Sequence, residues 1–446
     1  MFSTTEQLFE WLHGLSVVGI KPGTERMEWM LEKIDHPERR IRSVHVGGTN
    51  GKGSTVCYLR YIYQAAGLKV GTFTSPYITS FNERIMVNGV PIDDGDLLTA
   101  AEKVYPLTQA IATETDLGRP SEFEVLTMLS LVYFGRMNPC DLVIFEVGLG
   151  GRLDATNVIW PLVSVITNVA MDHMKFLGHT IADIAREKAG IIKNGVGIVT
   201  TAEHPDALAV IRHAAKARRS RLYVLGEAFK ITPRGHDESG ESFNFDTLYF
   251  HGKDLFVQMK GQHQLKNAAA ALMAVTYLKT YFGVPAEPEE IRAGLKQAVW
   301  PGRFEQLPGK LSIVLDGAHN IAGTTALAET IGRYYPSRRV HLLYAALKDK
   351  EYKKMIPIIE RAVFDITLTT FDFPRAADSH ILYEASHHAR RFEDADWRHA
   401  LEELADRAGA DDVLLVCGSL YFIAVVRRFL LQANGRELLR HGRVFR

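Results

Sequence analysis

Apolar runs alternate with helical patterns along most of this chain. The runs fall at Arg42 to Val46, Val70 to Thr74, Leu142-Val143-Ile144-Phe145, Val163-Ser164-Val165-Ile166 and Gly197-Ile198-Val199-Thr200. Most are apolar at nearly every position rather than at alternate ones, the pattern of a strand buried on both faces. Ser3-x-x-Glu6 reads as a capping box opening a helix faced by Leu8, Trp11 and Leu12. A second helix is expected from Arg26 to Ile34, after the Pro22-Gly23 turn, and a long amphipathic one from about Glu122 to Phe134. Buried strands with helices between them specify a parallel sheet covered on both sides.

Residues 221–258 change character. Leu222-Tyr223-Val224 and Leu255-Phe256-Val257 suggest a small antiparallel excursion around a polar, turn-rich segment, Thr232 to Asp246. Helices are expected at Asn267 to Tyr281 and at about Pro288 to Ala298, and Trp300-Pro301-Gly302 then marks a domain boundary. A second α/β series follows, with strands at Ser312 to Leu315, Val340 to Tyr344, Asp365 to Thr370 and Val413 to Val416. The expected architecture is therefore α/β in two domains: residues 1–298 with a parallel sheet, and a smaller Rossmann-like domain over residues 299–446.

Length and charge narrow the classes of partner. The chain has 446 residues, and Lys+Arg and Asp+Glu both number 52, so no global basic field recommends nucleic acid. Cys57, Cys140 and Cys417 lie far apart and form no C-x-x-C pair, which suggests neither a zinc ribbon nor a disulfide framework. They read as small core residues of a protein in a reducing cytoplasm. The amino terminus lacks the basic and apolar regions of a secretory signal, and no apolar stretch approaches bilayer length, so no membrane is expected as a partner.

Chemistry concentrates after the first strand, in Val44-His45-Val46-Gly47-Gly48-Thr49-Asn50-Gly51-Lys52-Gly53-Ser54-Thr55. Glycines let backbone N–H groups turn toward an anion, a helix N-terminus follows, and Lys52 reaches the outer phosphates of a nucleotide. The bland alternative is a glycine-rich turn without a ligand. Against the usual G-x-x-x-x-G-K-[ST] pattern, Val46 replaces the first glycine and Gly53 stands where the hydroxyl belongs, which comes later as Ser54 and Thr55. That shift argues against an ordinary GTPase or small-molecule kinase.

Other polar groups stand at strand ends, where open α/β sheets bind ligands. Glu146 heads Glu146-Val147-Gly148-Leu149-Gly150-Gly151-Arg152-Leu153-Asp154 and could reach a magnesium held by nucleotide phosphates, or could cap a helix or pair at the surface. His173, beside Asp172, fits a metal ligand, a general base or an ordinary surface pair. Asp316-Gly317-Ala318-His319-Asn320 closes the first strand of the second series. Arg303 could reach phosphate, or could merely pin the domains together with Asp316.

Together these motifs resemble the folylpolyglutamate synthase and dihydrofolate synthase family of the Mur ligase superfamily, over nearly the whole chain. The resemblance runs from Pro22-Gly23-x-x-Arg26 and the Gly48–Ser54 loop through Thr74-Ser75-Pro76, Glu83-Arg84, the Glu146 to Asn157 run and Glu187-Lys188-Ala189-Gly190-Ile191-Ile192-Lys193. It continues through Gly261-x-His263-Gln264-x-x-Asn267-Ala268, Pro301-Gly302-Arg303, Asp316 to Asn320 and Gly418-Ser419-Leu420. The displaced hydroxyl is normal for that family. The resemblance implies a Mur ligase-like fold with a P-loop ATPase-type first domain, and an ATP-dependent ligase joining L-glutamate to a folate or to dihydropteroate through an acyl phosphate. It implies that Gly48, Thr49, Asn50, Gly51, Lys52, Gly53, Ser54, Thr55, Asn267, Arg303, Asp316 and His319 contact ATP. Ser75, Glu146, His173 and Lys188 match magnesium ligands, Lys188 as a carbamate; without that modification it would read as an exposed helical lysine. Lys52, Lys188 and His173 are the residues to which catalysis is assigned, in a cytoplasmic monomer. Tyr77 departs from the histidine common at its position. A Mur-type ligase of cell-wall peptides shares the fold, but Thr74-Ser75-Pro76 and Lys348-Asp349-Lys350 favour the folate branch. A nucleotide-dependent regulatory module is disfavoured by the intact set Lys52, Glu146, His173 and Lys188.

Overall fold

A computed structural model of the chain describes residues 2–15, 19, 21–432 and 435. The remaining positions of the two expected domains, 1, 16–18, 20, 433, 434 and 436–446, lie outside the described residues. The chain forms two compact units. One comprises Met1–Pro233, Phe243–Phe256 and Lys266–Ala298, and the other Arg234–Ser242, Val257–Leu265 and Val299–Arg446.

The first unit is built on an eight-stranded sheet. Its strands are β1 (Ser43–Gly47), β2 (Val70–Phe73), β3 (Ile85–Val87), β4 (Val90–Pro91), β5 (Leu142–Glu146), β6 (Val163–Ile166), β7 (Gly197–Thr200) and β8 (Leu222–Val224), in the order β4-β3-β2-β5-β1-β6-β7-β8. From β2 to β8 all neighbours are parallel; β3 and β4 add an antiparallel edge. Every residue of β1 and β5 is buried, the polar Ser43, His45 and Glu146 along with their apolar neighbours. The chain leaves β1 toward β2 on one side and later returns to β6 on the other, so β1 is a topological switch point with a crevice at its carboxyl end.

Helix Lys52–Ala65 leaves that crevice and is held by close backbone packing. A Cβ on Gly294, in helix Pro288–Gln297, would lie 2.5 Å from the Ile62 Cα. Helix Glu122–Val132 opens with the Ser121/Glu124 capping box and is buried from Glu124 through Val132. It is less amphipathic than expected because helices Thr5–Gly14, Glu25–Glu32 and Asp94–Glu114 pack on it as well. Glu124 also takes a 2.8 Å hydrogen bond from Arg26, tying it to the amino-terminal helices. The first helix is capped one residue later than expected: Thr4 accepts from the Gln7 amide, and Gln7 Oε1 accepts from Ser3 N.

Two further expectations are corrected. Leu222–Val224 is the parallel edge strand β8 rather than part of an antiparallel excursion. That excursion is a separate meander, β9 (Phe229–Asp237), β10 (Gly240–Thr247) and β11 (His251–Val257), and it absorbs the segment expected to be turn-rich. The tip of the β9–β10 hairpin belongs to the second unit for a visible reason. Glu241, fully buried, accepts two hydrogen bonds from Arg333, at 3.1 and 2.9 Å. Lys260 likewise donates to Gln306 within that unit.

The second unit's sheet contains β12 (Glu305–Leu307), β13 (Ser312–Leu315), β14 (Val340–Tyr344), β15 (Asp365–Leu368), β16 (Arg391–Glu393) and β17 (Val413–Cys417), ordered β12-β13-β17-β14-β15-β16. Only β12 is antiparallel. Two apolar cores, one around Leu315, Leu401 and Phe422 and one around Leu342, Ile356 and Leu368, line the sheet. At the amino ends of the strands, buried His341 bridges two carboxylates, Nδ1 to Asp365 Oδ2 at 3.0 Å and Nε2 to Asp412 Oδ2 at 3.1 Å. Burial alone would depress the imidazole, but the hydrogen bonds and charges of Asp365 and Asp412 outweigh it and raise its pKa above 6.5.

A raised folded pKa means that this bridge stabilises the unit fully below the ordinary imidazole range and is lost as pH rises through the folded value. Denaturant unfolding followed by amide exchange in β14 should therefore show protection falling as pH climbs above 6.5 in the wild type. The His341→Asn variant should lack that slope.

Candidate active site at the carboxyl ends of the first sheet

The sheet register assembles the site. Val46 pairs with Glu146 across β1–β5, and Gly47 pairs with Ile166 across β1–β6, so the turns after β1, β5 and β6 emerge side by side. The β1 turn is sewn to the β6 turn. Thr49 N donates to Asn168 O (2.9 Å), Asn50 N to Asn168 Oδ1 (2.7 Å), Ala170 N to Thr49 Oγ1 (3.0 Å) and Thr167 Oγ1 to Asn50 O (2.6 Å). Asn168, to which no sequence motif draws attention, is thus the brace of the loop.

Two glycines of the loop are required by space as well as by backbone. Gly48 has φ +145°, and a Cβ there would lie 1.9 Å from Thr167 Oγ1; Gly51 has φ +84°, and its Cβ would lie 2.1 Å from Asn267 Oδ1. Asn267 is therefore seated against the loop, and its carbonyl accepts from Thr55 Oγ1 at 3.5 Å. Lys52 opens the following helix, with Gly53, Ser54 and Thr55 buried in its first turn. The Lys52 ammonium folds back on the loop carbonyls of Gly48 and Thr49, each at 3.3 Å. Loop amides, a helix N-terminus and a lysine held over them make an anion site.

Around it stand the other polar strand ends. Glu146 is 5% exposed, and its Oε2 accepts from Ser75 N at 3.3 Å, which brings Ser75 and Glu146 together. The turn after Glu146 presses on the helix Ile181–Ala189. A Cβ on Gly151 would meet Glu187 O at 2.8 Å, and Arg152 N donates to that carbonyl at 2.7 Å. His173, in left-handed backbone (φ +49°), has a side chain 36% exposed, and its backbone N–H donates to Asp172 Oδ1 at 2.8 Å. Tyr77 packs on Phe81 and under Arg84 just beyond Ser75.

Lys188 corrects the exposed-lysine alternative: it is 3% exposed. Burial, reinforced by the positive charge of Lys52, pulls its pKa down to about 7, against the opposing pull of Asp172 and Asp154. Near neutrality it is a half-neutral amine inside the site.

Arg303, Asp316 and His319 gather separately within the second unit, so the pair Arg303 and Asp316 is internal to it. Asp316, at the end of β13, accepts from Phe304 N (2.8 Å) and Ala318 N (2.9 Å). Burial raises its pKa while Arg303 opposes the rise. His319 Nδ1 lies 2.7 Å from Gly317 O, and Gly317 N donates to Gly302 O at 2.9 Å.

Family models match this chain over residues 46–275, as the Mur ligase middle domain, and over residues 302–420, as the Mur ligase glutamate ligase domain. It is 42% identical to the dihydrofolate synthase/folylpolyglutamate synthase of Bacillus subtilis, across 96% of this chain and 100% of that protein. The chain belongs to the Mur ligase family, in its folylpolyglutamate synthase and dihydrofolate synthase branch. Among solved structures, this Mur ligase resembles the Mycobacterium tuberculosis folylpolyglutamate synthase complexed with ADP and AMPPCP at a TM-score of 0.89, with 28% identity over 96% of this chain and 99% of the other. E. coli FolC in complex with DHPP and ADP matches at a TM-score of 0.85, with 28% identity over 95% and 97% of the two chains. The two-domain α/β expectation agrees with this family.

The loop of this Mur ligase leaves no room for a methyl at its entrance. Gly48→Ala should displace Thr167 and weaken binding of an ATP analogue by about tenfold or more, ~1.4 kcal/mol, as read by titration calorimetry. Gly195→Ala also carries a positive φ, but it has nothing within 4 Å of its Cβ and should leave that affinity unchanged.

Proposed function

We propose that this Mur ligase joins L-glutamate to a reduced folate, and to dihydropteroate in the same site, using ATP. The observation that carries the reading is the buried Lys188 beside the Lys52 loop and the Glu146 strand end, an arrangement suited to gathering anions. The B. subtilis relative is named for both reactions, and the E. coli structure is named as a complex with DHPP and ADP.

The γ-phosphoryl group passes to a substrate carboxylate, giving ADP and an acyl phosphate. The glutamate amine attacks the acyl carbon, sheds a proton and displaces phosphate as the amide forms. The triphosphate and substrate carboxylate bring negative charge together, so the helix start within the Gly48–Thr55 loop and the Lys52 ammonium act by neutralising and aligning it. Asn267 fixes the loop from outside, Arg303, Asp316 and His319 are assigned to nucleotide contact, and the domains are taken as residues 1–298 and 299–446.

Magnesium fits the oxygen donors available. Among the described residues, no three His, Cys, Asp or Glu side chains converge to hold a metal unaided. A cation held by a few side chains and by substrate phosphates matches the usual habit of magnesium. Ser75, Glu146 and His173 would hold it, carbamylated Lys188 would help to hold a second, and when bound it supplies charge neutralisation to the phosphates. Carbamylation joins the neutral Lys188 amine to CO2 with loss of one proton, turning a cation into a carboxylate-like ligand. We propose the cytoplasm as the compartment, supported by three free cysteines, and action as a monomer, supported by the family resemblance. No helix among the described residues is long and apolar enough to cross a membrane.

Purified protein given ATP, glutamate and either dihydropteroate or a reduced folate should release phosphate and yield the glutamylated product. Silence with both acceptors would refute the reading. Lys52→Ala should keep the fold and abolish turnover. With 13C-labelled CO2, a carbamate resonance should appear in the wild type and be missing in Lys188→Arg. Its yield should rise from pH 6 to 8, because the neutral amine grows as pH passes about 7.

A further inference from the structure

A polar chain runs through the interior of the first unit, behind the site. His45 lies in the middle of β1 between Val44 and Val46 and is fully buried. Its Nε2 is 2.8 Å from Thr156 Oγ1. That hydroxyl makes a short hydrogen bond to Asp154 Oδ1, which also accepts from Thr156 N at 3.0 Å. Asp154 Oδ2 accepts from Leu149 N at 2.8 Å. The other ring nitrogen, His45 Nδ1, has no partner.

The protons in this chain have a preferred direction. Burial raises the Asp154 pKa, but the Thr156 hydroxyl and the two backbone N–H groups of Leu149 and Thr156 that point at its oxygens oppose the rise and suit the carboxylate, an acceptor only. Thr156 must then give its single hydroxyl proton to Asp154 and accept from His45, so His45 carries its proton on Nε2. The reverse order would need a protonated Asp154 and would leave an Nδ1–H donor buried without an acceptor. Burial, helped by the charge of Lys193, pushes the His45 pKa down to about 3, so the ring stays neutral at working pH.

Stability alone gives no reason for an imidazole here. An apolar side chain in β1 would fill the space without a buried, unpartnered nitrogen, which costs about 1–3 kcal/mol. What the ring supplies is a donor at a fixed place. Asp154, so oriented, closes the turn that begins after Glu146, and that turn packs on the helix bearing Lys188, whose charge also feels Asp154.

We propose that His45 and Thr156 are positioning residues of this ligase. A one-way chain of hydrogen bonds, His45 Nε2–H to Thr156 Oγ–H to Asp154, locks the Glu146 turn and the Lys188 helix to the strand that carries the phosphate loop. The assignment rests on the ligase reading, but part of its test does not need activity.

In the wild type, 15N-labelled histidine should show His45 as a neutral Nε2–H tautomer that does not titrate between pH 5 and 9. The signal is assigned by its absence from His45→Phe, or through its own backbone where that variant fails to fold. Thr156→Val keeps the shape of the side chain and removes the hydroxyl, whereas Thr156→Ser keeps the hydroxyl. The valine variant should lose about 10–100-fold in kcat with little change in KM for ATP, and the serine variant should recover most of the loss. An Nδ1–H tautomer, an imidazolium, or a valine variant as active as the serine one would overturn the proposal. If the wild type ligates neither acceptor, the function reading fails, while the tautomer measurement still decides the chain of hydrogen bonds.

Discussion

A strand buried on both faces, with β5 and β6 hydrogen-bonded to its two sides, is the constraint from which the first unit follows. Its ladder satisfies the backbone groups of β1 along its length, and beyond Gly47 the amides of Thr49 and Asn50 turn to Asn168 before the amides of the helix start are reached. The loop can hold them toward an anion only if something else fixes its shape. Hydrogen bonds to Asn168 and Thr167, and the packing of Asn267 on Gly51, do that without occupying the amides of the helix start. The close approach of Gly294 to Ile62 then prevents the helix from sliding along its axis.

The charges in the site are arranged in tension. Lys52 lies over carbonyls of its own loop, and Lys188 is buried near enough to feel it. Two cations in one place disfavour each other, and burial adds its own penalty on Lys188. Asp172 and Asp154 relieve only part of that penalty. A phosphate chain entering the loop would relieve the rest, so the cost of gathering these groups is recovered when the anionic substrate arrives. This is the logic of preorganised electrostatics: the charges stand in place before the charge they serve exists.

Much of this was legible from sequence, and the failures share a cause. The buried parallel strands were readable because a strand covered on both faces needs apolar residues at every position. The phosphate loop was readable because glycines, a lysine and a helix start coincide in a few residues. Leu222–Val224 was assigned to the wrong sheet because three apolar residues do not disclose their neighbour. Thr232 to Asp246 looked turn-rich because the segment is polar, although most of its backbone is paired in β9 and β10. β12 and β16 escaped notice as three-residue edge strands. Lys188 showed only its helix, Ile181–Ala189, and its burial depends on the Gly150-Gly151 turn pressing on that helix from elsewhere in the chain.

His45 marks where pattern reading ends. A histidine between two valines looks like a blemish in an apolar strand, and nothing near it in sequence says what it touches. Its partner lies 111 residues away. The signal that could have raised it is the burial itself: a polar ring in a strand with no exposed face must find a partner inside or lose the free energy of its hydrogen bonds. Only Nε2 finds one, and that partner is a hydroxyl already committed to a carboxylate. A residue half-satisfied in a fully buried place is poorly explained by the stability of the strand. It is better explained by the turn it steadies, which begins one residue beyond Glu146 and rests on the helix of Lys188.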